Sequence, residues 1–199
     1  MYNLPSSTDV RKQLPKKSIF AKFDLKPSQR ESFDADIARI DIVAVVSSMT
    51  IPALKEGEEV KEFYVLAVQM KRKEYDLKNI ALLTKLIPQK MVLALLYGGY
   101  TQLAIYHTKL ISSTWQLTES TNITLSGLTI DVVWENIVKS IGQIDVEKGI
   151  SLTEQIAAND HRAKLLAQIA TLERKMAGEK QPRRKREYFE QIRILKKSC

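Results

Sequence analysis

The hydrophobic periodicity of this chain changes once, and that change limits what the chain can fold into. Up to about Ile141, apolar residues alternate or run together in short β-branched stretches punctuated by turn residues. This is the grammar of strands with intervening helices. Beyond Gly149, Leu165, Ile169, Leu172 and Met176 recur at steps of four, three and four, and the pattern resumes at Tyr188, Ile192 and Leu195. That is coiled-coil spacing, interrupted here by Gly178 and Pro182. Helices with so narrow an apolar stripe cannot bury themselves alone, so a helical hairpin or coiled-coil extension is predicted. Its first arm, Leu152 to Ala177, would be about 40 Å long.

The first segment can be divided further. Pro5, Pro15 and Pro27 break up its start, and the alternating run Ser18 to Phe23 reads as one edge strand. Ser28 and Glu31 have capping-box spacing and predict a helix start, with Phe33, Ile37 and Ile40 at helical spacing behind it. Asp41 to Ile51 is β-branched on both faces and reads as a buried strand. After turn residues Pro52 and Gly57, Val60 to Lys71 reads as a second central strand, antiparallel to the first. Asp76 is placed to cap a helix running to Ile87, where Pro88 stops it. Met91 to Tyr97, Gly98-Gly99 and Thr101 to Thr108 form a strong hairpin pattern. Leu110 to Leu117 predicts another strand, and Asn122 to Leu128 a short strand or loop. Thr129 opens an amphipathic helix with the stripe Ile130, Val133, Trp134, Ile137, Val138 and Ile141; Asp131 lies in its first turn and Gly142 at its end. The expected class is therefore α+β. A mixed, largely antiparallel sheet with packed helices spans residues 1–142, followed by a linker at 143–150 and a basic helical extension at 151–199.

Charge follows the same division. Lysine and arginine number 31 against 23 aspartates and glutamates, a net of +8. From Asp160 to Cys199 there are 12 basic and 5 acidic residues, a net of +7, so the rest of the chain is nearly neutral. A field concentrated in this way points to a polyanion or an acidic protein as partner of the tail. Lys180, Arg183, Arg184, Lys185 and Arg186 put five cations into seven residues. Such a run can follow a phosphate backbone, displacing counterions, or match an acidic protein surface. Tyr188 and Phe189 read as helix-packing residues beside it.

Several chemistries are excluded at this level. The single cysteine, Cys199, forbids an intrachain disulfide and a cysteine-based metal site. No apolar run is long enough to cross a membrane, and Met1 to Lys17 lacks an apolar signal core, so a cytoplasmic location is expected. There is no serine nucleophile elbow, phosphate-cradling glycine loop or dinucleotide fingerprint. His107 and His161 have no second ligand at metal spacing, and no metal site or cofactor is expected. One weak catalytic pattern remains. The order helix, strand, strand, helix, strand resembles part of the restriction-endonuclease core, in which acidic groups and a lysine meet at Mg²⁺. Gln69-Met70-Lys71 ends a central strand, so Gln69 and Lys71 share a face; Asp41 or Glu62 would have to supply the carboxylate. Only in that alternative is Mg²⁺ required.

A family resemblance runs from about Leu14 to the end. It is carried by Leu14-Pro15-Lys16-Lys17, Ile37 to Asp41, Glu62 to Lys71, Leu86-Ile87-Pro88 and the strand to Tyr97. It continues through Tyr106-His107-Thr108-Lys109, Leu125 to Glu135, Leu172-Glu173-Arg174-Lys175 and Glu179-Lys180-Gln181. This set resembles the prokaryotic domain-of-unknown-function 4391 family. The resemblance implies a helper working beside helicases and DNA methyltransferases in restriction and phage-defence clusters. It implies no catalytic residues. Pro182 departs from a tail read as one continuous helix. The expected function is a non-catalytic interaction subunit that contacts DNA, or a helicase or methyltransferase, through its basic tail. The alternatives are a metal-dependent nuclease and a homo-oligomer paired through its C-terminal helices.

Overall fold

The computed structural model describes residues 2–197. Cys199 lies outside them. The chain divides into two compact units, Met1–Asp145 and Val146–Cys199.

The first unit is built on one sheet. Its strands are β1 (Asp9–Gln13), β2 (Ile37–Ser47), β3 (Glu62–Met70), β4 (Lys90–Tyr97), β5 (Tyr100–Tyr106), β6 (Leu110–Ser112) and β7 (Gln116–Leu117). They lie in the order β1-β2-β3-β4-β5-β6, with β7 also paired to β5. Only β3 and β4 run parallel; the other pairs are antiparallel. A parallel neighbour needs a crossover, and α3 (Leu77–Leu83) lies within it.

Alternation along β3 assigns the two faces of the sheet. Leu66, Val68 and Met70 point into a core shared with Ile19 of α1 (Lys16–Phe23), Phe33 of α2 (Pro27–Asp36) and Ile80 and Leu83 of α3. Phe63, Val65, Ala67 and Gln69 point the other way. Phe63 meets Trp134 of α4 (Ile130–Gly142), ring centroids 5.6 Å apart. All six residues of the predicted α4 stripe are buried, and Thr129 caps the helix through Val132 N–H. Burial contributes about 2 kcal/mol for each large side chain, which fixes α4 on the sheet. The β4–β5 turn is held by Gly98 and Gly99 at φ +56° and +82°, the left-handed values a two-residue hairpin demands.

Several expected boundaries move. The edge strand is Asp9–Gln13, and the run Ser18 to Phe23 is helical. Ile19 is buried and Phe23 half-buried at a spacing of four, so helical period overrides local alternation. Helix α2 starts at Pro27, and Gln29 rather than Glu31 caps it, accepting Lys26 N–H at 3.0 Å. Ile37 and Ile40 belong to β2. A register shift between Ile37 and Arg39 lets two strand residues three apart face the same core, imitating helical spacing. β2 accordingly begins and ends earlier than predicted. α3 stops at Leu83, four residues short of Ile87. The predicted strand Leu110 to Leu117 splits into β6 and β7, and His107 lies just past the end of β5.

The second unit consists of α5 (Leu152–Gly178) and α6 (Pro182–Lys197), which fold back on each other as a helical hairpin. Ser151 and Glu154 form a capping box at the start of α5. Ile192 of α6 and Leu165 and Ile169 of α5 are buried. Pro182 does not interrupt a helix; it is the first residue of α6, where its missing N–H costs nothing.

Candidate interaction surface

The cationic run is held in place by the connector that precedes it. Glu179 turns its carboxylate back onto the chain and accepts the N–H groups of Lys180 (2.8 Å) and Gln181 (2.9 Å). The Gln181 N–H, then Lys180 N–H and the Arg184 charge, hold the Glu179 carboxyl below its ordinary range. Pro182 then launches α6 with Arg183, Arg184 and Lys185 in its first turn and Arg186 directly after them. All are exposed, as is Lys180.

Most of these cations have no ion-pair partner among the described residues. Arg183 reaches Glu187 at 3.5 Å with 93% of its side chain exposed. Lys180, Arg184, Lys185 and Arg186 make no ion pair among the described residues. Three other cations of the hairpin are paired: Lys164 with Asp160 (2.8 Å), Arg193 with Glu190 (2.9 Å) and Lys196 with Glu173 (2.9 Å). The position adds to the effect. The start of a helix carries the positive end of its dipole, so cations there are disfavoured and an incoming anion relieves two repulsions together. Phe189, expected to pack, is 54% exposed, and it lies one helical turn from Lys185 and Arg186. An exposed ring beside cations can stack on a base. Tyr188 is half-buried.

The four nuclease-type candidates are not brought together. Asp41 lies opposite Ala67, and Gln69 opposite Arg39, on the sheet face away from α1–α3. Together with Arg11, Gln13 and Leu96 they line an open groove of about 570 Å³. The Asp41 carboxylate, however, is engaged by Arg39 through three bonds of 2.7, 2.8 and 3.0 Å. Gln69 Nε2 donates to the Leu96 carbonyl (3.4 Å). Glu62 faces Ser47 at the opposite end of β3 and accepts the Tyr64 hydroxyl (2.7 Å). Seven residues of strand put it about 23 Å from Gln69. Lys71 falls just past β3 and makes no ion pair among the described residues. No group of three or more His, Asp or Glu among the described residues stands close enough to hold a metal ion. His161 is exposed on α5.

Two carboxylates that the sequence left unmarked, or marked only as helix-dipole partners, are structural. Asp36 is fully buried at the junction of α2 and β2. It accepts Asp76 N–H (2.9 Å), Asn79 Nδ2 (2.7 Å) and the Arg72 guanidinium. Burial alone would raise its pKa; the Asp76, Asn79 and Arg72 donors outweigh burial and lower it. Asp131 accepts the N–H groups of Val60 (2.7 Å), Glu58 (2.7 Å) and Glu59 (3.4 Å), pinning that loop to the first turn of α4. Against the same burial effect, these bonds also lower its pKa.

These features define a class: a mixed α/β sheet unit followed by a cationic two-helix unit whose charge is open to solvent. The chain belongs to the family described as a domain of unknown function (DUF4391), whose model matches residues 2–198, essentially the whole sequence. No curated protein and no solved structure matches the chain. No described helix is long and apolar enough to cross a membrane.

Proposed function

We propose that this protein is an interaction subunit of a DNA-processing restriction or phage-defence assembly, and that the first turn of α6 contacts DNA phosphates. The observation that carries the reading is that Lys180, Arg184, Lys185 and Arg186 are exposed and make no ion pair among the described residues, with Arg183 only loosely paired. Phosphate contacts position a protein on DNA without reading sequence, and a short cationic turn suits that task. Phe189 adds a surface on which a base exposed by a helicase can stack. A helicase or methyltransferase of the same assembly would supply the chemistry.

The test is duplex binding across a salt series, comparing wild type with a variant in which Lys180, Arg183, Arg184, Lys185 and Arg186 are all glutamate. Each lost phosphate contact should reduce the slope of log affinity against log salt by about 0.9. Affinity at low salt should fall at least tenfold. Unchanged affinity and slope would remove DNA as the target of this turn.

A further inference from the structure

The groove lined by Asp41 and Gln69 lies on the sheet face that α4 covers only in part. Trp134 packs on Phe63 at one end of β3, and Gln69 at the other end is exposed. Gln69 and Leu96 are register partners near the carboxyl ends of β3 and β4, the parallel pair. Open sheets bind ligands outside such ends.

Irregular strand pairing shapes this groove. β1 advances three residues, Asp9 to Lys12, while β2 advances two, Ala44 to Ile42. β2 in turn advances two residues, Ile42 to Ala44, while β3 advances one, Leu66 to Val65. The two bulges therefore lie side by side. Neighbours in an unbroken strand point to opposite faces, yet Val10 and Arg11, and Ile42 and Val43, all line the groove. Bulges re-aim side chains in this way beside binding sites.

The polar lining is of two kinds. Arg11 and Arg39 bring guanidiniums, and Gln13 and Gln69 bring carboxamides. Arg11 is exposed and makes no ion pair among the described residues. Asp41 takes Nε and Nη2 of Arg39, so Nη1 remains to donate. Asp41 thus positions one guanidinium and cancels one of the two positive charges; Asp9 does not line the groove. Val43, Ala67 and Leu96 add apolar surface.

This mixture selects the occupant. The apolar face of a partner helix would leave both carboxamides buried without partners. Inorganic phosphate would leave Val43, Ala67 and Leu96 facing water. A divalent cation would find a single carboxylate, already engaged. The groove's volume of about 570 Å³ is that of a small-molecule site. A planar ring can lie on the pleated floor. Donors and acceptors on its edge would meet Gln13 and Gln69, and an attached anion would meet Arg11 and Arg39.

We infer that this groove binds a nucleoside monophosphate, with the phosphate on Arg11 and Arg39 and the edge of the base on Gln13 and Gln69. Such binding does not depend on the DNA reading, because no residue of α6 lines the groove.

The probes are the four common ribonucleoside 5′-monophosphates, titrated calorimetrically into the full-length chain. At least one should bind saturably, one per chain. The matching nucleoside, and inorganic phosphate, should each bind at least about tenfold more weakly, since each keeps half of the contacts. Arg11→Ala, at an exposed and unpaired position, should weaken binding about tenfold and leave the urea midpoint unchanged. Gln69→Glu, nearly isosteric and exposed, should change the preference among the four bases. Duplex affinity should be the same in both variants, which separates this site from the cationic turn. The assignment is overturned if none of the four binds saturably, or if the nucleoside or inorganic phosphate binds equally well. It is also overturned if Arg11→Ala leaves affinity unchanged. Loss of nucleotide binding in the variant with glutamate at 180, 183, 184, 185 and 186 would overturn it too, by placing the nucleotide on α6.

Discussion

The sheet unit and the hairpin use charge in opposite ways. In the sheet unit, Asp36, Asp41 and Asp131 are each closed around internal donors. Those carboxylates fasten segments distant in sequence, such as the loop at Glu58–Val60 to the start of α4. In the hairpin, the densest run of charge in the molecule is left facing water at the end of a helix that disfavours it. Charge consumed inside a unit contributes to its stability. Charge held outward at some cost to local stability is available to another molecule.

The largest test of that contrast is Asp36→Ala. It leaves Asp76 N–H and Asn79 Nδ2 buried without their acceptor and should destabilise the sheet unit by about 3 kcal/mol, read by urea unfolding. A loss below about 1 kcal/mol would mean these bonds hold little. The same group sets a pH dependence. The folded-state pKa values of Asp36 and Asp131 lie below their unfolded values. The stability they contribute is therefore fully present above the ordinary aspartate range and is lost as pH falls through the folded values. Unfolding curves between neutral pH and about pH 3 should show that loss for wild type and a smaller one for Asp36→Ala.

Gly57→Ala is a smaller probe of the same fastening. A Cβ at Gly57 would collide with the Asp131 carboxylate and the Val60 carbonyl. Relief requires moving the loop off the three N–H bonds that Asp131 accepts. The expected cost is about 1 to 2 kcal/mol, with faster amide exchange at Glu58 and Val60. Wild-type exchange in the variant would show that the loop is held by something else.

Which parts of this were legible in the sequence follows from the range of the interactions. The α4 stripe, the Asp76 cap, the Gly98-Gly99 turn and the hairpin pattern are local, and each leaves its period or spacing in adjacent residues. Ile37 and Ile40 misled because a bulge in β2 reproduces the three-residue step of a helix, and a bulge is defined only by the partner strand. Asp36 was invisible for a related reason. Its partners Arg72, Asp76 and Asn79 come from the far side of β3, and nothing beside Asp36 in sequence announces them. The cationic run was plain in the sequence, but its lack of internal partners was not.

The smallest expected effect separates the two uses of charge most directly. If the first turn of α6 were arranged for stability, replacing its cations would weaken the helix. The helix dipole argues the reverse: Lys185→Glu or Lys185→Asp places an anion near the free N–H groups of the first turn and should strengthen it by about 0.5 kcal/mol each. Hydrogen exchange at the α6 amides would register the gain as slower opening. The same substitutions should weaken duplex binding and lower its salt slope. Opposite signs in the two measurements would mean that this turn gives up local stability to keep its charge outward. Parallel losses in both would make the arginines and lysines structural, and the contrast between the two units would then disappear.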